Sequence, residues 1–181
     1  MRHHIDHQGW ESRSDCPGCT SLGSITSGDI TTKRIKSFYV IGSLRNPNIV
    51  PFANALQAEG YEAFCDWKSP GPDADDFLRD YAKARGLNYK QTLQTYAARQ
   101  IYEFDKKHLD RCDAAVVLMP AGKSAHLEAG YTIGKGKPCF IVFDQEPERV
   151  DVMYGFLTET FFSQQEFFEY LRKLKGESKW E

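Results

Sequence analysis

AAVVLMPAGKSAHLEAGYTIGKGKPCFIVF, residues 114–143, contains a strand, a helix and a second strand in one stretch. Residues 114–119 form a continuous apolar run, strand-like in length and bounded by the turn Pro120-Ala121-Gly122. The spacing predicts a helix over 124–133, ended by Gly134 and Gly136. Pro138 then leads into the apolar run 139–143. Strands that are apolar throughout bury both faces, as they do in parallel sheets covered by helices.

The same rhythm extends in both directions. Upstream, Phe38-Tyr39-Val40-Ile41 ends at Gly42-Ser43 and reads as a buried first strand. A helix is expected over 47–59, with Ile49, Phe52, Leu56 and Ala58 apolar and Gly60 as its stop, and a second strand over 61–67. Pro70, Gly71, Pro72 and the acidic Asp73, Asp75 and Asp76 make a turn and a helix start. A short helix over 77–85 ends at Gly86, and one long helix is predicted over 89–111, with Leu93, Ala97, Ile101 and Phe104 on one face. Downstream, a fifth short strand is expected at 156–158 and a closing helix at 164–174, capped by Ser163. Alternating strands and helices imply an α/β fold: a three-layer, flavodoxin-like (Rossmann-like) parallel sheet of about five strands in the order 2-1-3-4-5. Such sheets bind ligands beyond the carboxyl ends of the strands, where the order reverses between the first and third. That rule selects the loops 42–46 and 120–128.

Composition narrows the function. The chain has 181 residues, 41% of them hydrophobic, enough for one domain with a sizeable core. Residues 1–35 are polar, rich in Ser, Gly, Thr, Asp and His, and read as a loose extension, with the domain over 36–178. Within the extension, Cys16 and Cys19 with His3, His4 and His7 lack the second, cleanly spaced ligand pair of a structural zinc site, so no metal is expected there. Cys65, Cys112 and Cys139 fall within or beside apolar segments, where free cysteine behaves as a small hydrophobe. A formal net charge of −2 with no basic stripe argues against nucleic-acid binding. No run of about 20 apolar residues suits a membrane span, and the start of the chain lacks a signal peptide's apolar stretch. A cytoplasmic protein is expected.

Four positions in and around the two loops suggest chemistry. Glu128 lies four residues after Ser124, so the two share a helix face, and this offset is not that of a capping box. The bland alternative is a solvated glutamate favoured by the helix dipole. The turn containing Gly122 offers backbone N–H groups at a helix start, suited to an anion. Asp105 stands between Ile101 and Leu109 in one i, i+4 row, where an unpartnered charge is costly. Its bland alternative is a helix-edge aspartate paired with Lys106 or a nearby arginine. Gly42, Ser43 and Arg45 form a strand-end turn that can hold a phosphate by amides and a guanidinium fork, unless Arg45 is simply a surface residue. Asp66 ends the second strand next door, where it can contact a sugar or base or serve only as a turn residue.

Together these residues resemble the nucleoside 2-deoxyribosyltransferase superfamily, especially its 2′-deoxynucleoside 5′-phosphate N-hydrolase branch. The resemblance runs from Phe38 to about Pro138. It is carried by Tyr39-Val40-Ile41-Gly42-Ser43-Leu44-Arg45, by Asp105 and Asp113, and by His126-Leu127-Glu128-Ala129-Gly130-Tyr131 and Gly136-Lys137-Pro138. It implies that Glu128 attacks the anomeric carbon, that Asp105 assists the departing base or the sugar, and that Tyr39 supports the glutamate. It also implies that Ser43 and Arg45 grip a 5′-phosphate, with no metal or cofactor required. The chain departs from the family in having Gly122 where an aspartate or serine usually precedes the nucleophile by six residues, with Ser124 as the substitute. Residues 67–95 are also longer than in compact members. A homodimer or higher homo-oligomer is implied, with Asp151 and Tyr154 as candidates to complete a neighbouring pocket. The expected partner is a nucleoside or nucleotide, whose N-glycosidic bond is hydrolysed or transferred. The competing readings are a TIR-like NAD glycohydrolase, in which Glu128 keeps its role, and a nucleotide sensor without turnover.

Overall fold

A computed structural model of the chain describes residues 35–177. The expected extension and its cysteines and histidines, Cys16 and Cys19 among them, lie outside the described residues. Within them the strands are β1 (Ser37–Ile41), β2 (Glu62–Phe64), β3 (Ala114–Leu118), β4 (Cys139–Val142) and β5 (Glu159–Phe161). They pair in the order β2-β1-β3-β4-β5, all parallel. The helices are α1 (Ile49–Ala58), α2 (Ala74–Ala84), α3 (Tyr89–Leu93), α4 (Tyr96–Arg111), α5 (Lys123–Gly134) and α6 (Gln164–Glu177). No helix among the described residues is long and apolar enough to cross a membrane.

Strand alternation divides the core in two. Phe38, Val40, Val116, Leu118, Phe140 and Val142 face α1 and α6 and pack on Phe52, Leu56, Phe167 and Leu171. Tyr39, Ile41, Ala115, Val117, Cys139 and Ile141 face the other way, toward Leu109 of α4 and Ala125 and Ala129 of α5. Parallel crossovers keep one hand, so a chain that steps outward to β2 and back past β1 to β3 must lay its returning helix over the second face. That places α4 above Tyr39. Burying large side chains on both faces stabilises each layer by roughly 2 kcal/mol per residue. Asp113 fixes the register: its Oδ2 accepts from the Lys36 and Ser37 amides at 3.0 and 3.1 Å and from Ser37 Oγ at 3.1 Å. Tyr39 thereby pairs with Ala115.

Three expectations need correction. The long helix predicted over 89–111 is broken: Asn88 and Gln91 form a capping box that starts α3, and Thr95 caps α4 by accepting from the Ala98 amide at 3.2 Å. Thr95 also donates to the Thr92 carbonyl at 2.7 Å, so one hydroxyl closes the first helix and opens the next. The second strand is cut to β2 because the chain folds into a 3-10 turn at Asp66–Lys68. The fifth strand is not at 156–158. A 3-10 turn, Val152–Phe156, capped by Asp151, occupies that region, and β5 begins only at Glu159. Ser163 caps α6 as expected, accepting from the Glu166 amide at 3.1 Å.

Candidate active site

Glu128 and Asp105 come from neighbouring helices, each six residues before its helix ends. Lys137, in the connection after α5, ties those ends together: its Nζ donates to the carbonyls of Leu109, Asp110 and Cys112 at 2.8, 2.6 and 2.8 Å. Both carboxylates act on Tyr39 of β1, a residue only 1% exposed. Tyr39 feels both acids, and burial followed by the charges of Glu128 and Asp105 pushes its hydroxyl far above the ordinary value.

Neither acid behaves as a surface carboxylate. Both are half-buried. Glu128 is pushed up from 4.5 to about 8, first by burial and then by the negative charge of Asp105. It lies beyond the first turn of α5, so the helix dipole does not offset this. Asp105 is pushed up from 3.8 to about 6 by burial, against a hydrogen bond from Tyr39 that lowers it. Lys106 pairs with Asp110 at 2.6 Å instead of Asp105, and Asp105 has no ion pair among the described residues. Its Oδ1 is buried without a hydrogen-bond partner. Glu128 is thus only partly reachable by solvent, and neither Lys106 nor an arginine pairs with Asp105 among the described residues. Burial raises the proton affinity of both acids, and the charge of Asp105 raises that of Glu128 further.

The remaining predicted residues are placed less uniformly. A Cβ at Gly42 would stand 2.3 Å from Ile49 Cδ1, so a side chain there would force the buried Ile49 to shift. Ser43 Oγ accepts from the Arg45 amide at 3.2 Å. Arg45 is exposed, and its guanidinium is engaged by Asp76 of α2 at 3.1 Å, which Arg79 also holds at 2.7 Å. Gly122 is the N-cap of α5 and Ser124 its exposed second residue. Asp66 is exposed at the start of the 3-10 turn, where its charge acts on His108 and Cys65. Asp151 accepts from the Met153 amide at 3.0 Å, and the Tyr154 hydroxyl meets His126 Nε2 of the same chain at 3.0 Å. A cavity of about 190 Å³ borders α5 at His126, Ala129, Gly130 and Ile133 and does not reach Glu128. Among the described residues, no group of three or more His, Cys, Asp or Glu side chains converges as metal ligands.

Two residues at the mouth escaped the sequence reading. Asn46 is 3% exposed, and its Nδ2 donates to the carbonyls of Leu118 and Met119 at 3.3 and 3.2 Å. Lys68 Nζ donates to the carbonyls of Leu44 and Asn46, both at 2.7 Å. An asparagine before a proline looks like turn punctuation, and a lysine after a tryptophan like surface charge. Nothing in the sequence reveals which carbonyls they seek.

No family model matches the sequence, and no curated protein matches it. Two solved structures are among those with a distant similarity to the chain. The 2-deoxyribosyltransferase of the psychrotolerant bacterium Bacillus psychrosaccharolyticus is 14% identical with a TM-score of 0.49, covering 72% of this chain and 89% of its own. A conserved protein from Enterococcus faecalis V583 is likewise 14% identical at a TM-score of 0.49, covering 80% of this chain and 99% of its own.

Proposed function

We propose that the protein cleaves or exchanges the N-glycosidic bond of a nucleoside or nucleoside 5′-monophosphate, with Glu128 as nucleophile. The observation that carries this reading is the convergence of Glu128 and Asp105 on Tyr39, two acids of raised proton affinity that a single proton between them would satisfy. That proton count suits the chemistry. Glu128 holds the proton more tightly than Asp105, so it first passes that proton to Asp105. The resulting Glu128 carboxylate attacks C1′, the bond from C1′ to the base nitrogen breaks, and its electron pair leaves with the base. Asp105 supplies the proton that the departing base takes up. In the second half, water or another base attacks C1′, its proton passes to Asp105, and the Glu128 carboxylate is released. Developing positive charge on the sugar favours the ionised form of Glu128 as the bond lengthens. Tyr39 holds the Asp105 carboxylate by its hydroxyl while the acid is ionised.

Ser43, Arg45 and the start of α5 at Gly122 and Ser124 are assigned to the 5′ end of the substrate, and Asp66 to its sugar or base. A phosphate arriving there would draw Arg45 away from Asp76. We assign a homo-oligomeric state as well. Leu93, Ile101 and Phe104, the face expected to be buried, are 52%, 53% and 43% exposed in the single chain. A second copy is the simplest cover for them, and sedimentation at micromolar concentration tests it.

The function is tested by incubating wild type and Glu128→Gln with a pooled panel of nucleosides, nucleoside monophosphates and NAD, followed by chromatography. Base release by wild type alone is expected. Nicotinamide release without base release would point to NAD as the substrate, and no release from any panel member refutes the enzymatic reading.

A further inference from the structure

We infer that Lys68 and Asn46 are positioning residues that join the 42–46 turn to the loop starting the Glu128 helix, so that a disturbance of one loop is felt in the other. The linkage begins at the 3-10 turn after β2. Trp67 Nε1 donates to the Val40 carbonyl at 2.8 Å, which holds this turn against the end of β1. From it Lys68 reaches across and spends two of its three N–H donors on the Leu44 and Asn46 carbonyls, each at 2.7 Å. Bonds from an ammonium are stronger than neutral ones, so the turn is held by a charge that comes from outside it.

Asn46 continues the chain of contacts. Its Oδ1 accepts from the Asn48 amide at 2.9 Å, while Nδ2 reaches the carbonyls of Leu118, Met119 and Pro120 at 3.3, 3.2 and 3.5 Å. An amide buried to 3% exposure with both its ends engaged has one workable orientation. Residues 118–120 lead directly to Gly122, the N-cap of α5, and so to Glu128. Three segments distant in sequence thereby become one hydrogen-bonded unit, with the 42–46 turn at one end and the start of the nucleophile's helix at the other. Lys68 touches neither α5 nor its loop, yet it bears on both through Asn46. The catalytic consequence rests on the glycosidic reading of Glu128, whereas the mechanical linkage stands without it.

Hydrogen–deuterium exchange on the full chain, read by mass spectrometry, tests the linkage. Lys68→Met is expected to raise exchange in peptides covering 42–48 and also in those covering 119–124, although the lysine contacts only the first. Asn46→Ala cuts the bridge at its middle and is expected to raise exchange in 119–124; should that variant fail to fold, Lys68→Met alone decides. In parallel, with whichever nucleotide the wild type turns over, Lys68→Met should raise KM through the loosened 42–46 turn and also lower kcat by about 10-fold, a loss at saturation that weakened binding alone does not produce. Exchange confined to 42–48 overturns the linkage, and an unchanged kcat in a folded Lys68→Met protein overturns its catalytic consequence. If wild type turns over nothing, the exchange result still decides the linkage, and the absent turnover counts only against the glycosidic reading.

Discussion

Replacing Glu128 by glutamine removes a charge that the fold opposes, and its effect on stability is independent of any assay of catalysis. The carboxyl's pKa stands at about 8 in the folded chain, against 4.5 when unperturbed. Between those values the unfolded chain releases this proton while the folded chain keeps it. Wild type therefore loses stability as pH rises through that window, and the contribution is intact below 4.5. At 1.36 kcal/mol per pH unit the ceiling is about 5 kcal/mol. The side chain is partly reachable by solvent and feels the charge of Asp105, so about 2–3 kcal/mol is the expected loss. Urea unfolding of wild type and Glu128→Gln at half-unit steps from pH 5 to 9 measures it. The two stability curves should diverge with rising pH, the glutamine variant becoming relatively more stable by that amount at pH 9. Parallel curves would mean that Glu128 titrates as a solvated carboxylate, and the shared-proton site would be refuted.

Other perturbations probe the neighbouring groups. Catalysis by a pair holding one proton should follow a bell-shaped pH profile with limbs near about 6 and about 8, and Tyr39→Phe, which removes the hydrogen bond that lowers Asp105, should move the acid limb upward. Initial rates across buffers at saturating and limiting substrate locate both limbs. Asp76→Asn frees Arg45, so KM for a monophosphate should fall by about two- to fivefold while that for the unphosphorylated nucleoside stays put; a common shift in both removes Arg45 from phosphate binding. Lys137→Met leaves three carbonyls at the end of α4 without their ammonium donor and should destabilise the fold by about 2–3 kcal/mol in urea unfolding.

The parts of the fold legible in the sequence were those written by burial. β1, β3 and β4 are apolar on both faces because helices cover both, and their runs stand out without reference to partners. Elements set by polar side chains were harder to read. The break between α3 and α4 depends on one threonine hydroxyl that serves two helices, and an apolar stripe continuing past it conceals the interruption. β5 lies at the edge of the sheet, where Glu159 is exposed and only Phe161 is buried, so the more apolar 156–158 stretch was the stronger signal and the wrong one. The site divides along the same line. Asp105 drew notice as a charge in an apolar row, and Glu128 through its offset from Ser124. Asn46 and Lys68 act on backbone carbonyls of distant segments, and a carbonyl looks alike at every position of a sequence.

Lys137 gives the acid pair a mechanical property. It fastens the end of α4 to the connection after α5, and each carboxylate stands six residues before the end of its helix, roughly 9 Å at the rise of an α-helix. Asp110 joins the same two helices a second time, accepting from the Tyr131 hydroxyl at 2.7 Å and pairing with Lys135 at 3.4 Å, so any spreading of the arms is confined to the part above these ties. Proton affinity in the pair falls as the arms open and climbs as they shut. Residues that touch neither acid thereby limit how far both respond to anything that wedges the helices apart.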